Sequence, residues 1–153
     1  MQTYLEQPPA PVESKAINPE HIKAFSDELE QGVVADEHEY LTYKGVNNHS
    51  WKISKSGALL VPCYCKNGAL VGLQRIYKNS HGKFIKQFAT GSNIEVGAFS
   101  IVAVNEHCQK NILIAEGVAT GASVYEATGL TTVIAFNVGN LSKVVDIFRK
   151  QQP

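Results

Sequence analysis

Two short, unbroken apolar runs constrain this chain most. Asn111-Ile112-Leu113-Ile114-Ala115 and Thr132-Val133-Ile134-Ala135-Phe136 flank a stretch of helical composition, Val118 to Thr128, that Gly129 ends. Continuous apolar runs of this length fit strands buried on both faces. A helical crossover between them makes the strands parallel and the connection right-handed. Leu141 to Lys150 then reads as a second amphipathic helix, so the last third is an opening βαβα unit. Two parallel strands rarely stand alone. Either strands from elsewhere in the chain extend this sheet, or the unit is cut short.

The middle of the chain has the period of strands. Ala58 to Tyr64 and Ala69 to Tyr77 flank Lys66-Asn67-Gly68, which supplies the Asn-Gly of a tight hairpin. Gly82 to Phe88 reads as a third strand and Phe99 to Val104 as a fourth, all antiparallel in character. Upstream, Asn18-Pro19 marks a helix start. Ile22, Phe25 and Leu29 follow at helical spacing up to Gly32, and a short helix covers Glu39 to Lys44 before Gly45. The first 17 residues, with Pro8, Pro9 and Pro11 and no apolar period, read as a linker or unstructured lead-in. The expected division is therefore a lead-in over 1–17, a helical lead segment over 18–50, a basic β-rich region over 51–110 and a partial α/β unit over 111–153. The fold class is α+β.

Charge is segregated along this plan. The 14 basic and 14 acidic residues of the 153 cancel, yet residues 1–50 carry three bases and nine acids, and residues 51–110 carry eight bases and two acids. No apolar run approaches the roughly 18 residues of a membrane span, and no basic n-region precedes an apolar stretch at the N-terminus. Three cysteines make no disulfide framework, which points to a reducing cytoplasm. Cys63-x-Cys65 has the wrong spacing for a zinc knuckle, and no Ser/His/Asp arrangement emerges.

Between residues 51 and 94 stand Lys52, Lys55, Lys66, Arg75, Lys78, Lys83 and Lys86 with no acid among them, interleaved with Trp51, Tyr64, Tyr77, Phe84 and Phe88. Cations on a sheet face neutralise phosphates, and exposed aromatics stack on bases. The plainer reading is a solvated outer face over an aromatic core. Lys52, Lys55, Arg75, Lys78, Lys83 and Lys86 are the candidate nucleic-acid contacts. Glu116 ends the first parallel strand, the edge where open α/β sheets bind ligands. It can hold a cation or transfer a proton, or merely cap the next helix. Gly117, Asn137, Gly139 and Asn140 line the same edge, with Asn140 also a candidate helix cap. The small residues of Gly117-Val118-Ala119-Thr120-Gly121-Ala122-Ser123 lack a Walker ending and suit close helix–sheet packing.

Taken in order, these segments resemble primases of phage and plasmid type. Tyr40-Leu41-Thr42-Tyr43-Lys44-Gly45-Val46 is similar to their lead motif. Leu59-Leu60-Val61-Pro62, Asn67 to Ile76 and Lys83 to Phe88 resemble their basic subdomain. Ile112 to Gly117, Ala119-Thr120, Tyr125 to Leu130 and Val133 to Leu141 resemble the opening half of their Toprim domain, a Rossmann-like α/β unit. The resemblance covers about residues 38–150. It implies RNA primer synthesis on single-stranded DNA during phage or plasmid replication, in a larger primase or primase-helicase that uses nucleotides and Mg2+. It also implies that Glu116 is the catalytic and metal-site glutamate, served by an Asp-x-Asp pair on a following strand. The chain ends before that pair, and Asp146 sits in the preceding helix. An isolated chain is thus expected to bind single-stranded DNA and make no primers. The alternatives are a noncatalytic, shortened Toprim relative acting as a DNA-binding or regulatory module, and another Toprim enzyme such as a topoisomerase or nuclease.

Overall fold

The computed structural model describes residues 16–108 and 110–151; most of the expected lead-in, residues 1–15, lies outside them. The elements run α1 (Pro19–Gln31), β1 (Val33–Val34), α2 (Glu39–Lys44), β2 (Lys52–Ile53), β3 (Leu59–Tyr64), β4 (Leu70–Lys78), β5 (Phe84–Phe88), β6 (Ser100–Ala103), β7 (Ile112–Ala115), α3 (Val118–Thr128), β8 (Thr131–Ile134) and α4 (Val138–Gln151). The first five strands form one antiparallel sheet in chain order. The last three form a second sheet, ordered β6-β8-β7, with β6 antiparallel and β7 parallel to β8. The class is mixed α and β, as expected.

Local chemistry accounts for most boundaries. The Asn18 side chain accepts the Glu20 N–H at 2.9 Å, Pro19 takes the first helical position where its missing N–H costs nothing, and Gly32 ends α1. The β3–β4 hairpin turns over Cys65–Gly68, where the Gly68 N–H donates to the Cys65 carbonyl and Gly68 sits at φ +84°. The turns at Ser54–Gly57 and Asn79–Gly82 close with the same N–H to carbonyl bond. Gly45 leaves α2 in the left-handed region.

Strand parity sorts the five-stranded sheet into two unlike faces. Leu60 and Leu73 point to the side covered by α1, where they pack with Phe25 and Ala89. Leu59, Val61, Cys63 and Ile76 point to the other side and join Tyr40, Leu41 and Trp51 in the main core. That core continues through Val102, Val118, Ala122 and Ile134, so it welds the first sheet to the α3 face of the second. Tyr64 and Phe99 exchange a backbone bridge between the sheets. On the far face of the second sheet, α4 sets Leu141, Val144 and Phe148 against Ile112, Ile114, Val133 and Ala135. The helices after the two parallel strands thus cover opposite faces, the doubly wound arrangement. Gly121 makes this close: a Cβ there would stand 3.0 Å from Val102 Cγ2 and 3.1 Å from Ile134 Cγ1, so the small residues of α3 serve helix–sheet packing.

Three readings need adjustment. The strand at 99–104 does not extend the basic sheet; it becomes β6 and supplies the extra strand that the parallel pair requires. The apolar run ending at Phe136 leaves the ladder after Ile134, because Phe136 lies at φ +72° in a γ-turn closed by the Asn137 N–H on the Ala135 carbonyl. Helix α4 therefore starts at Val138, three residues before the expected Leu141. Its cap is Asn137, whose side chain accepts the Asn140 N–H at 2.8 Å, and not Asn140.

Candidate nucleic-acid interface

Register decides where each candidate cation goes. Lys52 pairs with Leu60, and Arg75 with Leu60 and Gln87, so both cations lie on the α1 face. There Arg75 donates to both carboxylate oxygens of Glu28, from Nε at 2.8 Å and from Nη2 at 2.5 Å. That hydrogen bond is the chief cause of a guanidinium pKa held above its ordinary value. Lys52 donates from Nζ to the Leu29 carbonyl at 2.8 Å, placing a cation at the C-terminal end of α1, whose own last turn has no base. Lys55 stands exposed on the turn between β2 and β3. These three of the six candidates are not gathered with the rest.

Lys78, Lys83 and Lys86 are gathered. Helix α2 and the β4–β5 hairpin enclose a cleft of about 590 Å³ lined by Glu39, Tyr40, Tyr43, Lys44, these three lysines and Phe84, with His81 and Gly82 at the turn. Tyr40, Tyr43 and Lys44 reach it together because they lie three and four residues apart on one helix face. Tyr40 meets Phe84 edge-on at 5.3 Å, and Tyr43 meets it tilted at 5.4 Å. The cations sit on these rings: Lys44 is 5.6 Å from the Tyr43 centroid, Lys78 5.1 Å from Phe84 and Lys86 5.5 Å from Tyr40. Lys78 also pairs with Glu39 at 2.9 Å. Tyr43 is 73 % exposed, whereas Tyr40 is buried. Tyr43 and Lys44 were outside the sequence-derived set; their signal was the spacing within the lead motif.

Strand β5 carries this cleft toward the second sheet. Phe84, Lys86 and Phe88 share the inner face. A Cβ at Gly117 would stand 3.6 Å from Lys86 Nζ, and Phe88 packs edge-on against Phe136 at 5.6 Å. The edge strand of the basic sheet therefore runs past the carboxyl ends of both parallel strands. Glu116 is exposed there, directly after β7. The capping reading finds no support, since α3 has Gly117 at its N-cap and receives no side-chain capping bond. Asn137, Gly139 and Asn140 line a separate depression of about 200 Å³ with Glu95 and Lys143. Asn140 is buried, donating to the Ala98 and Ala135 carbonyls at 2.7 and 2.9 Å, so it ties the end of β8 to the segment that leads into β6.

Among the described residues, no group of three or more His, Cys, Asp or Glu side chains is placed to hold an ion. Cys63 is buried, which pushes its thiol pKa well up, and Cys65 bonds the Asn67 side chain. Among the described residues, no helix is long and apolar enough to cross a membrane.

No protein-family model matches this chain, and no solved structure does. Among characterised proteins, DNA primase TraC of Escherichia coli is 31 % identical to it over 118 residues, which cover 74 % of this chain and 11 % of that protein. The chain thus spans about a tenth of this relative's length, and it is similar in sequence to part of a DNA primase.

Proposed function

We propose that this chain carries the template-handling and opening Toprim portion of a DNA primase of phage or plasmid type. Its partners would be single-stranded DNA, nucleotides and a helicase domain or protein, in the cytoplasm. A single strand would lie along β5, phosphates on Lys83 and Lys86 and bases against Tyr43 and Phe84, and reach the edge at Glu116. The observation that carries this reading is Lys86 at Gly117: a phosphate-neutralising cation of the basic sheet stands at the carboxyl end of a parallel strand, where α/β sheets bind ligands. The doubly wound helices and the similarity to a primase support it.

Glu116 is the residue proposed for catalysis and for one metal contact. Mg2+ takes several oxygen ligands, and the described residues offer no complete set. What the chain's own groups would supply is strand positioning and one exposed carboxylate.

The test is binding of a fluorescent single-stranded oligonucleotide across a salt series. Lys86→Glu should weaken binding about tenfold at 0.1 M salt and flatten the salt slope by about one. Glu116→Ala should leave affinity equal or higher, because it removes a negative charge beside the path. Unchanged affinity in Lys86→Glu would reduce the basic strand to a solvated face.

A further inference from the structure

The cleft between α2 and the β4–β5 hairpin holds more charge than a passing strand calls for. Four ammonium groups, Lys44, Lys78, Lys83 and Lys86, line about 590 Å³ with one carboxylate, Glu39, which pairs with Lys78 alone. Three of the four are held over the faces of Tyr40, Tyr43 and Phe84, which steadies the cations but leaves their mutual repulsion unrelieved. A strand brings one negative charge per nucleotide, whereas a terminal phosphate alone carries about 1.5 to 2. Tyr40 forms part of the same wall, and its buried hydroxyl has no hydrogen-bond partner. It is an O–H donor with no acceptor of its own. At the mouth, Tyr43 offers a 73 % exposed ring for stacking.

We infer that this cleft binds a nucleoside 5′-polyphosphate, either free or at the 5′ end of an RNA chain, with its phosphates among Lys44, Lys78 and Lys83 and its base on Tyr43. The site is distinct from Glu116, with Lys86 the one residue that borders both. It holds the ligand at the far end of the proposed strand path, with which it shares Lys83 and Tyr43, rather than at the reacting edge, and it needs no carboxylate-bound metal to do so.

Calorimetry on the whole chain can decide this with ATP, inorganic tripolyphosphate, and one decaribonucleotide bearing either a 5′-triphosphate or a 5′-hydroxyl. The triphosphate end should bind about tenfold or more tightly than the hydroxyl end. Lys44→Glu combined with Lys83→Glu should erase that preference, while Lys55→Glu combined with Lys66→Glu, an equal charge change on two exposed turns outside the cleft, should keep it. Tyr43→Ala should weaken ATP and leave tripolyphosphate unchanged. ATP displacing the triphosphate-ended chain assigns the site to free nucleotide as well; failure of ATP to bind assigns it to the chain end, and both support the polyphosphate reading. Equal affinity for the two ends, or a preference that survives the double charge reversal, overturns it. Equal weakening of ATP and tripolyphosphate by Tyr43→Ala overturns the nucleoside part. Strand binding of the hydroxyl-ended chain is read separately, so failure of this inference and failure of the strand-path proposal are distinguishable. All three variant positions in the cleft are exposed, and thermal unfolding checks that each variant folds.

Discussion

On the α1 face of the five-stranded sheet, Arg75 and Lys52 are consumed by Glu28 and the Leu29 carbonyl. On the opposite face, Lys86 and Lys78 point into a cleft with Lys44 and Lys83, and the one carboxylate lining it, Glu39, pairs with Lys78. All of these bases but Lys44 come from the same acid-free run, and neighbours in sequence part company because successive strand residues face opposite ways. A basic stretch is thus two populations. One neutralises the chain's own acidic helix, and the other is left for something outside it.

The largest effect that tests this division concerns folding alone. Leu73, fully buried on the α1 face with Phe25 and Leu60, should cost about 2–5 kcal/mol when changed to Ala. Denaturant unfolding measures that loss, and oligonucleotide affinity of the folded fraction should stay unchanged. Next comes Arg75→Gln. After allowance for solvent screening of a part-exposed pair, the lost ion pair should cost about 1 kcal/mol or less, with the salt slope of DNA binding intact. A slope that falls as far as in Lys86→Glu would dissolve the distinction between the faces.

A smaller effect probes the contact of the lead segment with α3. Burial alone would raise the Glu126 pKa, but the Asn47 N–H at 2.7 Å and His49 Nε2 at 2.8 Å outweigh it and hold the carboxyl below its ordinary value. A folded-state pKa lowered in this way adds stability above the unfolded pKa and loses it as pH falls through the folded one. Wild type should therefore exceed Glu126→Gln in thermal stability near neutral pH, with the gap closing in the acid range below pH 4.5. A gap that is constant with pH would mean that the hydrogen bonds, not the charge, hold this contact.

Much of this was readable in the residues. Asn18-Pro19 and Gly32 bracket α1, and the apolar runs at 111–115 and 132–136 with the helical stretch between them point to the parallel pair, because those signals are local. The candidate site was half legible. Lys78, Lys83 and Lys86 were in the basic run, but nothing near Arg75 in sequence announces Glu28, 47 positions earlier. Strands β1 and β2, two residues each, are too short to show a period. The end of β8 was misread because Phe136 looks like a strand residue while adopting a backbone angle that an aromatic side chain seldom takes. That conformation costs about 1–3 kcal/mol and persists where Phe88 packs against the ring, at the joint between the sheets.

Strand β5 also has a second life as a boundary. It ends the order of its sheet, and among the described residues nothing pairs with its outer side. An unpaired strand is a template for other chains, and lysine is a common deterrent to such pairing. Lys83 and Lys86 suit that deterrent role as well as the proposed contact with phosphate. Neutralising both at once should cost solubility along with any affinity for an oligonucleotide, whereas reversing their sign should keep the protein dispersed and remove only the proposed hold on nucleic acid.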